Sequence, residues 1–343
     1  MSQPHKFQII LILTIFFSFT NSKQIINTNI FSDSVIFSKF KQFIQTYHKS
    51  YPNYYEYFKR YKIFKSNFEN NLLTNTLSSD NTKGITPFSD ITPDEFKKQM
   101  LTLNVPLLTY SNTDNSSFRS VNAPNLSNVP SSFNWVNLGV AGSIKDQGLC
   151  GSCWAFTTAT NIEALYYIKY GKKVDLSEQQ MVDCDNYDYG CQGGSMLKAY
   201  QWIKANGGLM LENEYPYTGQ QGTCKQHQFR NAVRIIGYEK LVSNNEIHIR
   251  NYLLSRGPIA AALNGIHLQF YTSGIIDKTS NECDPYGLNH AVVIVGYGSE
   301  NGKDYWIVQN SFGSQWGENG YFRIARGKGT CGINLYISSA IIE

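Results

Sequence analysis

Two cysteines, Cys150 and Cys153, lie three residues apart in the segment KDQGLCGSCWAF, residues 145–156. This spacing is compatible with a dithiol redox pair, with two metal ligands, or with two residues of unrelated roles. The chain has seven cysteines, all in its second part: Cys150, Cys153, Cys184, Cys191, Cys224, Cys283 and Cys331. Six of them can pair in an oxidising compartment, which leaves one as a partner-seeking or reactive thiol.

Cys153 stands at the start of a long segment of predominantly apolar residues, 154–170, that is followed by Gly171. This pattern predicts a helix with a glycine cap at its C-terminus. The N-terminus of a helix carries about half a positive charge, which favours a thiolate over a thiol. Cys153 is therefore a candidate nucleophile, although a cysteine at a helix start can also be structural.

A nucleophilic thiolate requires a histidine nearby and a group that orients this histidine. Of the six histidines, two remain as candidates, His267 and His290. The other four fall in the N-terminal segments or in polar stretches: His5, His48, His227 and His248. His290 opens an apolar segment predicted to be a strand, and Asn310 ends another such segment 20 residues later. Adjacent strand ends could place the Asn310 amide on one ring nitrogen of His290, with the other nitrogen toward Cys153.

The elements that must position these residues change in character along the chain. Apolar residues at helical spacing in residues 31–73 predict two helices interrupted near Pro52. Residues 101–130 are rich in Asn, Ser and Thr and predict an exposed linker that a protease could cut. The remaining body of about 215 residues has helical patterns first, including a capping box at residues 177–180 and a helix that ends before Gly207. Short glycine-bounded apolar runs follow at residues 290–298, 305–311 and 320–327 and predict strands. This order favours an α+β body, with two lobes and a cleft between them.

Charge and hydropathy exclude several classes of function. The net charge of +4 comes from residues 1–126, with 13 basic and 8 acidic residues, whereas residues 127–343 have 17 and 18. A nearly neutral body argues against a nucleic-acid partner. Residues 1–22 match a secretory signal peptide, because the apolar run from Phe7 to Phe19 is too short to span a membrane. No later segment predicts a membrane anchor.

The stretches QGLCGSCWAF, NHAVVIVGYG and NSFGSQWG together resemble the papain-like cysteine proteases of the cathepsin L type. The resemblance implies a papain-like two-lobed α+β fold, preceded by a helical inhibitory propeptide domain. The implied boundaries are a signal peptide at 1–22, a propeptide and linker at 23–127, and a catalytic domain at 128–343. Within the catalytic domain, a helical lobe is expected at about 138–235 and a β-barrel-like lobe at about 236–335.

The resemblance assigns roles to four residues. It implies that Cys153 is the nucleophile, that His290 is the general acid and base, and that Asn310 orients the imidazole. Gln147 would donate to the oxyanion together with the backbone N–H of Cys153. The chain would then be a cysteine endopeptidase, made as a zymogen and activated by removal of the propeptide, with no cofactor and no metal.

The family pairing also accounts for the cysteines. It implies disulfides between Cys150 and Cys191, between Cys184 and Cys224, and between Cys283 and Cys331, with Cys153 free. A redox pair would need Cys150 free and a preceding βαβ unit, which the sequence does not predict. A zinc site would favour a second close pair, but Cys184 and Cys191 are seven residues apart.

The resemblance further implies a substrate cleft in which Gly193 and Gly194 pair with the backbone of an extended peptide. A simple tight turn would fit the same two glycines. The implied substrate-binding residues are Gly151, Gly193, Gly194, Ser195, Met196, Ala262, Leu288, Asn289, Ala291, Trp316 and Tyr336. The residues that line the main specificity pocket include no carboxylate, so we expect an apolar residue two positions before the cut. The segment 207–224 has no histidine-bearing insertion of the kind that makes cathepsin B-like enzymes exopeptidases.

The front segment resembles the inhibitory propeptide of the same family. The residues that match its helical motif are Glu56, Arg60, Phe64, Asn67 and Asn75, with Asn71 in place of the usual Ile. A second motif matches at residues 84–90, with Thr86 in place of Asn. By the resemblance, this segment folds as a small helical domain and lays an extended strand through the cleft.

One departure lies in the catalytic body, where Phe312 occupies the position of a usual Trp while Trp316 is present. This ring should shield the hydrogen bond between Asn310 and His290 from water. We therefore expect retained but altered activity. The alternatives are a catalytically impaired relative that acts as a binding protein, which the intact catalytic set argues against, and an inhibitor that works through the propeptide fold.

The implied partners are protein and peptide substrates, the chain's own propeptide and cystatin-like inhibitors, with a monomer as the expected state. The signal peptide directs the chain into the secretory pathway, toward a lysosome- or vacuole-like compartment or the extracellular space. Sequons at Asn115 and Asn125 are consistent with exposure of the linker.

Overall fold

The computed structural model describes residues 32–77, 82–105, 118–228, 230–242 and 244–343. The predicted signal peptide and the sequon at Asn115 lie outside these residues, while Asn125 is described and exposed. None of the helices in these described ranges is long and apolar enough to cross a membrane.

The described residues of the front segment form three helices, α1 (Asp33–Thr46), α2 (Tyr54–Leu77) and α3 (Pro93–Met100). The two helices predicted on either side of Pro52 are confirmed as α1 and α2. Their core is aromatic, since Phe40, Phe43 and Phe64 are almost fully buried. Helix α3 was not identified from the sequence, although Thr92 and Glu95 form a capping box at its start.

Four helices belong to the body: α4 (Cys153–Tyr170), α5 (Glu178–Cys184), α6 (Met196–Asn206) and α7 (Glu246–Arg256). The predicted cap of α4 is confirmed, because Gly171 adopts a φ of 65° that favours glycine. The predicted capping box at α5 forms only in part. The Ser177 hydroxyl accepts from the Gln180 N–H, but the Gln180 side-chain oxygen accepts instead from the Met210 N–H at 2.7 Å.

The strands form one mixed sheet in the order β1-β3-β9-β4-β6-β7-β8-β5, with β2 paired to β6. Their bounds are β1 Phe118–Val121, β2 Phe133–Asn134, β3 Ile235–Leu241, β4 Ile259–Leu263, β5 Ile275–Ile276, β6 His290–Glu300, β7 Lys303–Gln309, β8 Tyr321–Ala325 and β9 Ile337–Ile342. The runs predicted as strands near residues 290, 305 and 320 are confirmed as β6, β7 and β8. The antiparallel register of β6 and β7 places Val293 opposite Gln309. The start of β6 and the end of β7 therefore lie side by side.

Two hydrophobic cores account for the two-lobed α+β fold. One core lies within the sheet region and is centred on Trp306, Trp316 and Phe322. The other surrounds α4 and α6 and contains Trp154 and Tyr200. The first 13 residues of α4 are buried, so this helix runs through the interior rather than along a surface. The cleft forms where the two cores meet.

The helical motif by which the front segment resembles a propeptide holds α2 against the segment that follows it. Arg60 pairs with Glu56 at 2.6 Å and with Glu95 at 2.9 Å. The Asn67 amide donates to the carbonyls of Ser89 and Ile91, both at 2.9 Å. The Asn75 amide donates to the Lys83 carbonyl at 2.8 Å. The residues matched by the motif therefore form hydrogen bonds and ion pairs within the front segment.

The front segment docks on the body through backbone hydrogen bonds. Gly84 N–H donates to the Phe270 carbonyl and Thr272 N–H donates to the Thr82 carbonyl, each at 2.8 Å. The Thr86 hydroxyl, at the position where the motif usually has Asn, donates to the Gln269 carbonyl at 2.5 Å. Strand β1 then extends the sheet in parallel with β3. The front segment is therefore attached along much of the body.

Asn71 faces the apolar interior of the front segment and is 8% exposed. A cavity of about 50 Å³ adjoins it and is lined in part by Phe64, Phe68 and Ile85. Replacing Asn71 by Ile should fill this space and stabilise the segment by about 1–2 kcal/mol through apolar burial. We expect slower conversion of the Asn71→Ile zymogen at acid pH, measured by gel densitometry over time.

The matched control is Asn70→Ile, because Asn70 is exposed on the same helix. This control should convert at the wild-type rate. Faster conversion of Asn71→Ile than of the wild-type zymogen would contradict the prediction.

Candidate active site

Cys153 is the first residue of α4 and is fully buried. The N–H groups of Ala291, Trp154, Cys153 and Thr102 face its sulfur and favour the thiolate. Ala291 follows His290 on β6, so the thiol of one lobe lies beside the histidine of the other. Cys153 is also the only free cysteine among the described residues. The Cys153 thiol therefore lies at the N-terminus of α4 and beside the start of β6.

His290 and Asn310 are brought together by the pairing of β6 and β7. The His290 Nε2 atom lies 2.8 Å from the Asn310 Oδ1 atom, and both side chains are buried. Because Nε2 is held by an amide oxygen, it carries the proton in the neutral ring, and Nδ1 is left as the acceptor. The arrangement therefore fixes both the orientation and the tautomer of the imidazole.

The Phe312 ring covers this histidine. Its centroid lies 4.9 Å from the His290 ring, and the side chain is 1% exposed. Trp316 packs edge-on against Phe312 at 5.2 Å, while the Trp316 indole N–H donates to the Leu268 carbonyl. Phe88 of the front segment lies on Phe312 at 5.0 Å. Phe312 thus shields the imidazole, as the ring at this position was expected to do.

Gln147 is fully buried and held at both ends of its amide. Its Nε2 atom donates to the Cys150 carbonyl at 3.0 Å, and its Oε1 atom accepts from the Ser311 hydroxyl at 2.6 Å. The backbone N–H of Gln147 also donates to the Ser311 carbonyl. Because one amide N–H is used by Cys150, the second is available to an incoming oxyanion.

Lys145 anchors the loop that carries Gln147, and sequence reasoning missed it. Its ammonium lies 2.8 Å from Glu163 on α4, 2.7 Å from Glu178 on α5 and 2.7 Å from Asp175. Burial raises the pKa of Glu178 to about 8, and the Lys145 ammonium opposes this shift. The only sequence signal for this cluster was a lysine two residues before Gln147. Its carboxylate partners lie in distant segments of the chain, so the sequence could not identify them. The cluster ties the loop to two helices.

The three disulfides are those that the resemblance implied: Cys150–Cys191, Cys184–Cys224 and Cys283–Cys331. The first of them joins the loop before Cys153 to the segment that precedes Gly193. The second cysteine of the opening motif remains a thiol. Cys150 and Cys153 therefore have unrelated roles.

The prediction of an exposed linker from residue 101 onward is wrong for residues 101–104, because they pass through the cleft over Cys153 and bury Leu101 and Leu103. Leu103 N–H donates to the Asn289 carbonyl at 3.0 Å, and Asn104 N–H donates to the Gly194 carbonyl at 2.8 Å. The Thr102 hydroxyl donates to the Gly151 carbonyl at 2.9 Å. Extended backbone therefore pairs with both sides of the cleft.

Two glycines permit this close approach. A Cβ atom on Gly193, which has a φ of 115°, would collide with the Thr102 carbonyl. A Cβ atom on Gly151 would collide with the Thr102 hydroxyl. Any larger residue at these positions would push the peptide away from the floor of the cleft.

Leu103 is buried in the hydrophobic core that also contains Met196, Ala262, Ala291 and Tyr336, four of the residues that the resemblance assigned to the specificity pocket. Leu288, a fifth, is half-buried and packs against this core. At one wall the Tyr336 hydroxyl lies 3.2 Å from the Ser195 hydroxyl. Among the other predicted residues, Trp316 packs behind Phe312. His267 is half-buried, and its Nε2 atom lies 3.0 Å from the Glu282 carbonyl, outside the site.

Burial in the covered site favours the neutral forms of the Cys153 thiol and the His290 imidazole. Burial raises the pKa of the Cys153 thiol to about 12, against the N–H groups that favour the thiolate. Burial lowers the pKa of His290 to about 4, although the Asn310 side chain and the Met100 carbonyl favour the protonated ring. The sequence argument considered the helix terminus alone and predicted a thiolate. In this form, the loss of solvent outweighs the helix terminus.

The comparisons with known proteins agree with this geometry. Residues 129–341 match the family described as papain family cysteine protease, and residues 40–96 match the cathepsin propeptide inhibitor domain (I29). The chain belongs to the papain family of cysteine proteases. It is a cysteine peptidase with an inhibitory propeptide domain, and α1 to α3 form most of that domain.

Individual relatives extend over both parts of this protease. Cysteine proteinase 1 of Dictyostelium discoideum is 36% identical over 331 residues, covering 89% of this chain and 92% of the relative. The structure of digestive procathepsin L 3 from the larval midgut of Tenebrio molitor matches with a TM-score of 0.80 and 31% identity, covering 90% of this chain and 99% of that one. The recombinant stem bromelain precursor matches with a TM-score of 0.80 and 35% identity, with the same coverage of each chain.

The reactivity of Cys153 should differ sharply between the zymogen and the processed enzyme. At about pH 5.5 a thiol with a pKa near 12 has almost no thiolate, and the front segment also blocks access. Removal of the segment admits water and restores the influence of the helix terminus. We expect fast alkylation of Cys153 alone in the processed protein and none in the zymogen, mapped by mass spectrometry without reductant.

The reduced and denatured chain, brought to about pH 8 where ordinary thiols react, serves as the control and should label at all seven cysteines. Equal labelling rates for zymogen and processed enzyme, or labelling of Cys150 without reductant, would contradict the prediction.

Proposed function

We propose that this protease hydrolyses peptide bonds through the thiol of Cys153 and the imidazole of His290. The observation that carries the proposal is the Thr102 backbone, which lies against the Cys153 sulfur while its neighbours pair with both sides of the cleft. A peptide is therefore already bound at the reacting atom. In the processed enzyme, a substrate would take the same place.

In the acylation step, His290 Nδ1 takes the thiol proton and the Cys153 sulfur attacks the substrate carbonyl carbon. The carbonyl π electrons move to oxygen, and the oxyanion accepts from the Gln147 amide and the Cys153 backbone N–H. When the oxyanion collapses, the C–N bond breaks and His290 returns its proton to the leaving amine. Asn310 holds the ring in the required orientation throughout.

In the deacylation step, water replaces the amine product. His290 removes a proton from this water, whose oxygen attacks the thioester carbon. Collapse of the second oxyanion breaks the C–S bond and releases a carboxylic acid. His290 then returns its proton to the Cys153 sulfur, which restores the starting state. No cofactor enters either step.

The propeptide domain inhibits the enzyme within the same chain. It occupies the cleft, excludes water from the thiol and the imidazole, and covers Phe312 with Phe88. Cleavage in or near the linker would release it. We place the cut between roughly Ala123 and Phe133, at the boundary proposed between the propeptide at 23–127 and the catalytic domain at 128–343.

We propose that the enzyme is an endopeptidase of the secretory pathway, delivered to a lysosome- or vacuole-like compartment or outside the cell. Three disulfides in the body are consistent with an oxidising environment during folding. It acts as a monomer on unfolded or extended protein segments, and cystatin-like proteins are its proposed external inhibitors.

The role proposed for Gln147 can be tested with Gln147→Ala. Loss of one oxyanion donor should lower kcat about 100- to 1,000-fold with little change in KM, because the interaction strengthens only in the transition state. Steady-state kinetics of the processed enzyme on a dipeptide substrate measures both constants.

The comparison variant is Ser311→Ala, which removes only the hydroxyl that donates to Gln147 Oε1. It should cause a smaller loss of kcat. An unchanged kcat in Gln147→Ala would exclude the proposed role.

The position of Leu103 predicts the preferred substrate. Substrates with Leu two positions before the cut should be hydrolysed at least about tenfold more efficiently than those with Arg, since the apolar pocket cannot pair a guanidinium. Dipeptide substrates that differ only at this position give the ratio of kcat/KM. A higher kcat/KM for Arg than for Leu would contradict the assignment of the pocket.

A further inference from the structure

Two aspartates, Asp185 and Asp188, lie buried behind the wall of the cleft, in the loop between Cys184 and Cys191. They are 5% and 8% exposed. Asp185 Oδ1 accepts from the Tyr187 N–H at 2.8 Å, and Asp188 Oδ1 accepts from the Ser195 N–H at 3.0 Å. Both carboxyl groups therefore have one oxygen held by backbone.

The second oxygen of each carboxyl group, Oδ2, is buried and needs a hydrogen-bond donor. Within the described part of the chain, neither Oδ2 atom has a donor that reaches it. The two carboxyl groups lie within hydrogen-bonding reach of each other. A hydrogen bond between them requires a proton on one of them, since two carboxylates only accept. Burial of two unprotonated oxygens without donors would be costly.

The charged and titratable groups around the pair do not replace this proton. Lys198 on α6 is the nearby cation, but its ammonium donates to the Tyr187 carbonyl at 3.1 Å and lies over the Tyr189 ring. The Tyr336 hydroxyl also lies near Asp188 and is engaged with Ser195. Burial raises the pKa of Asp188 to about 8, and the charge of Asp185 adds to this shift. Burial also raises the pKa of Asp185, to about 6.

The pair is joined to the cleft through Gly194 and Ser195. Asp188 supports the Ser195 N–H, and the Gly194 carbonyl accepts from the peptide that occupies the cleft. Gly194 is also wedged in place, because a Cβ atom there would lie 2.8 Å from the Asp188 carboxyl carbon and 2.6 Å from the Trp154 ring. A shift of the Asp188 carboxyl would therefore move the backbone that binds peptide.

We propose that Asp185 and Asp188 share a single proton and act as positioning residues for the substrate-binding backbone at Gly194 and Ser195. With the proton present, the pair holds the wall of the cleft in register with a bound peptide. When the proton is lost, two adjacent carboxylates repel each other, and Asp188 moves together with the Ser195 N–H. This role rests on the proposed function, in which Gly194 binds the substrate backbone.

The direction of the pH effect follows from the raised pKa. A carboxyl group that binds its proton more tightly in the folded state contributes most stability below its unfolded pKa of about 3.9. The contribution is lost as the pH rises through the folded value, which is about 8 for Asp188. The wall of the cleft is thus well ordered in acid and loosens in mild alkali.

The test compares the wild type with Asp188→Asn and Asp185→Asn. In either variant one amide N–H donates to the remaining carboxylate, while the amide oxygen keeps the backbone bond, so no proton is needed. We expect the wild-type KM for a dipeptide substrate to rise about fivefold between about pH 6 and pH 9, as loss of one hydrogen bond would cause. Both variants should keep a flat KM, with kcat following the wild-type profile.

Asp304→Asn is the matched control, since Asp304 is an exposed carboxylate on β7. It should retain the wild-type rise in KM. Parallel KM profiles for the wild type and Asp188→Asn would overturn the proposal, and so would a difference confined to kcat.

A second readout separates this proposal from the proposed function. The full-length Cys153→Ala chain should lose thermal stability between about pH 5 and pH 9, and adding Asp188→Asn should reduce that loss, with the remainder set by other buried carboxyl groups such as Glu178. An inactive processed wild type would refute the proposed function while this readout still tests the pair. Parallel unfolding profiles with and without Asp188→Asn would refute the shared proton even in an active enzyme.

Discussion

The burial of α4 is the constraint on which the rest of the structure depends. A nucleophile at the start of a helix can face a cleft only if that helix enters the interior, and its polar side chains must then find partners. Asn161 on α4 meets this need on both sides, accepting from the Tyr200 hydroxyl and the Ala340 N–H and donating to the Pro258 carbonyl. Glu163 meets it through Lys145. The same bonds that satisfy the helix therefore hold the helical and sheet regions together around Cys153.

In the proposed function, inhibition and substrate binding use one set of features. The carbonyls of Gly194 and Asn289 accept from the backbone of the propeptide, and they would accept from a substrate in the same way. The two bound states differ in how much water reaches Cys153 and His290. The propeptide excludes water from the thiol and the imidazole, and both groups are then more stable without charge. In the proposed mechanism, this desolvation would silence the zymogen together with the physical block, although Cys153, His290 and Asn310 are already assembled.

Much of the local structure was predictable because its signals are local. Gly171 and Gly207 marked the ends of α4 and α6, and the glycine-bounded apolar runs marked β6, β7 and β8. Other elements were not predicted because their short sequences are compatible with more than one structure. Helix α3 is only eight residues long, and its capping box was overlooked. The box predicted at α5 failed on one side because the Met210 N–H, distant in sequence, claimed the side-chain oxygen of Gln180.

The sequence by itself determined the chemical groups and the elements that carry them: a cysteine at a helix start, a histidine and an asparagine at strand ends, and a count of cysteines that leaves one unpaired. Only the tertiary structure decided which groups meet and whether they carry charge. Periodicity shows that a residue will be buried, but the partner it is buried against depends on packing between distant segments. Lys145 with its three carboxylates and the pair of Asp185 and Asp188 arise in this way. Their protonation follows from desolvation, which belongs to the folded chain and to no single stretch of residues.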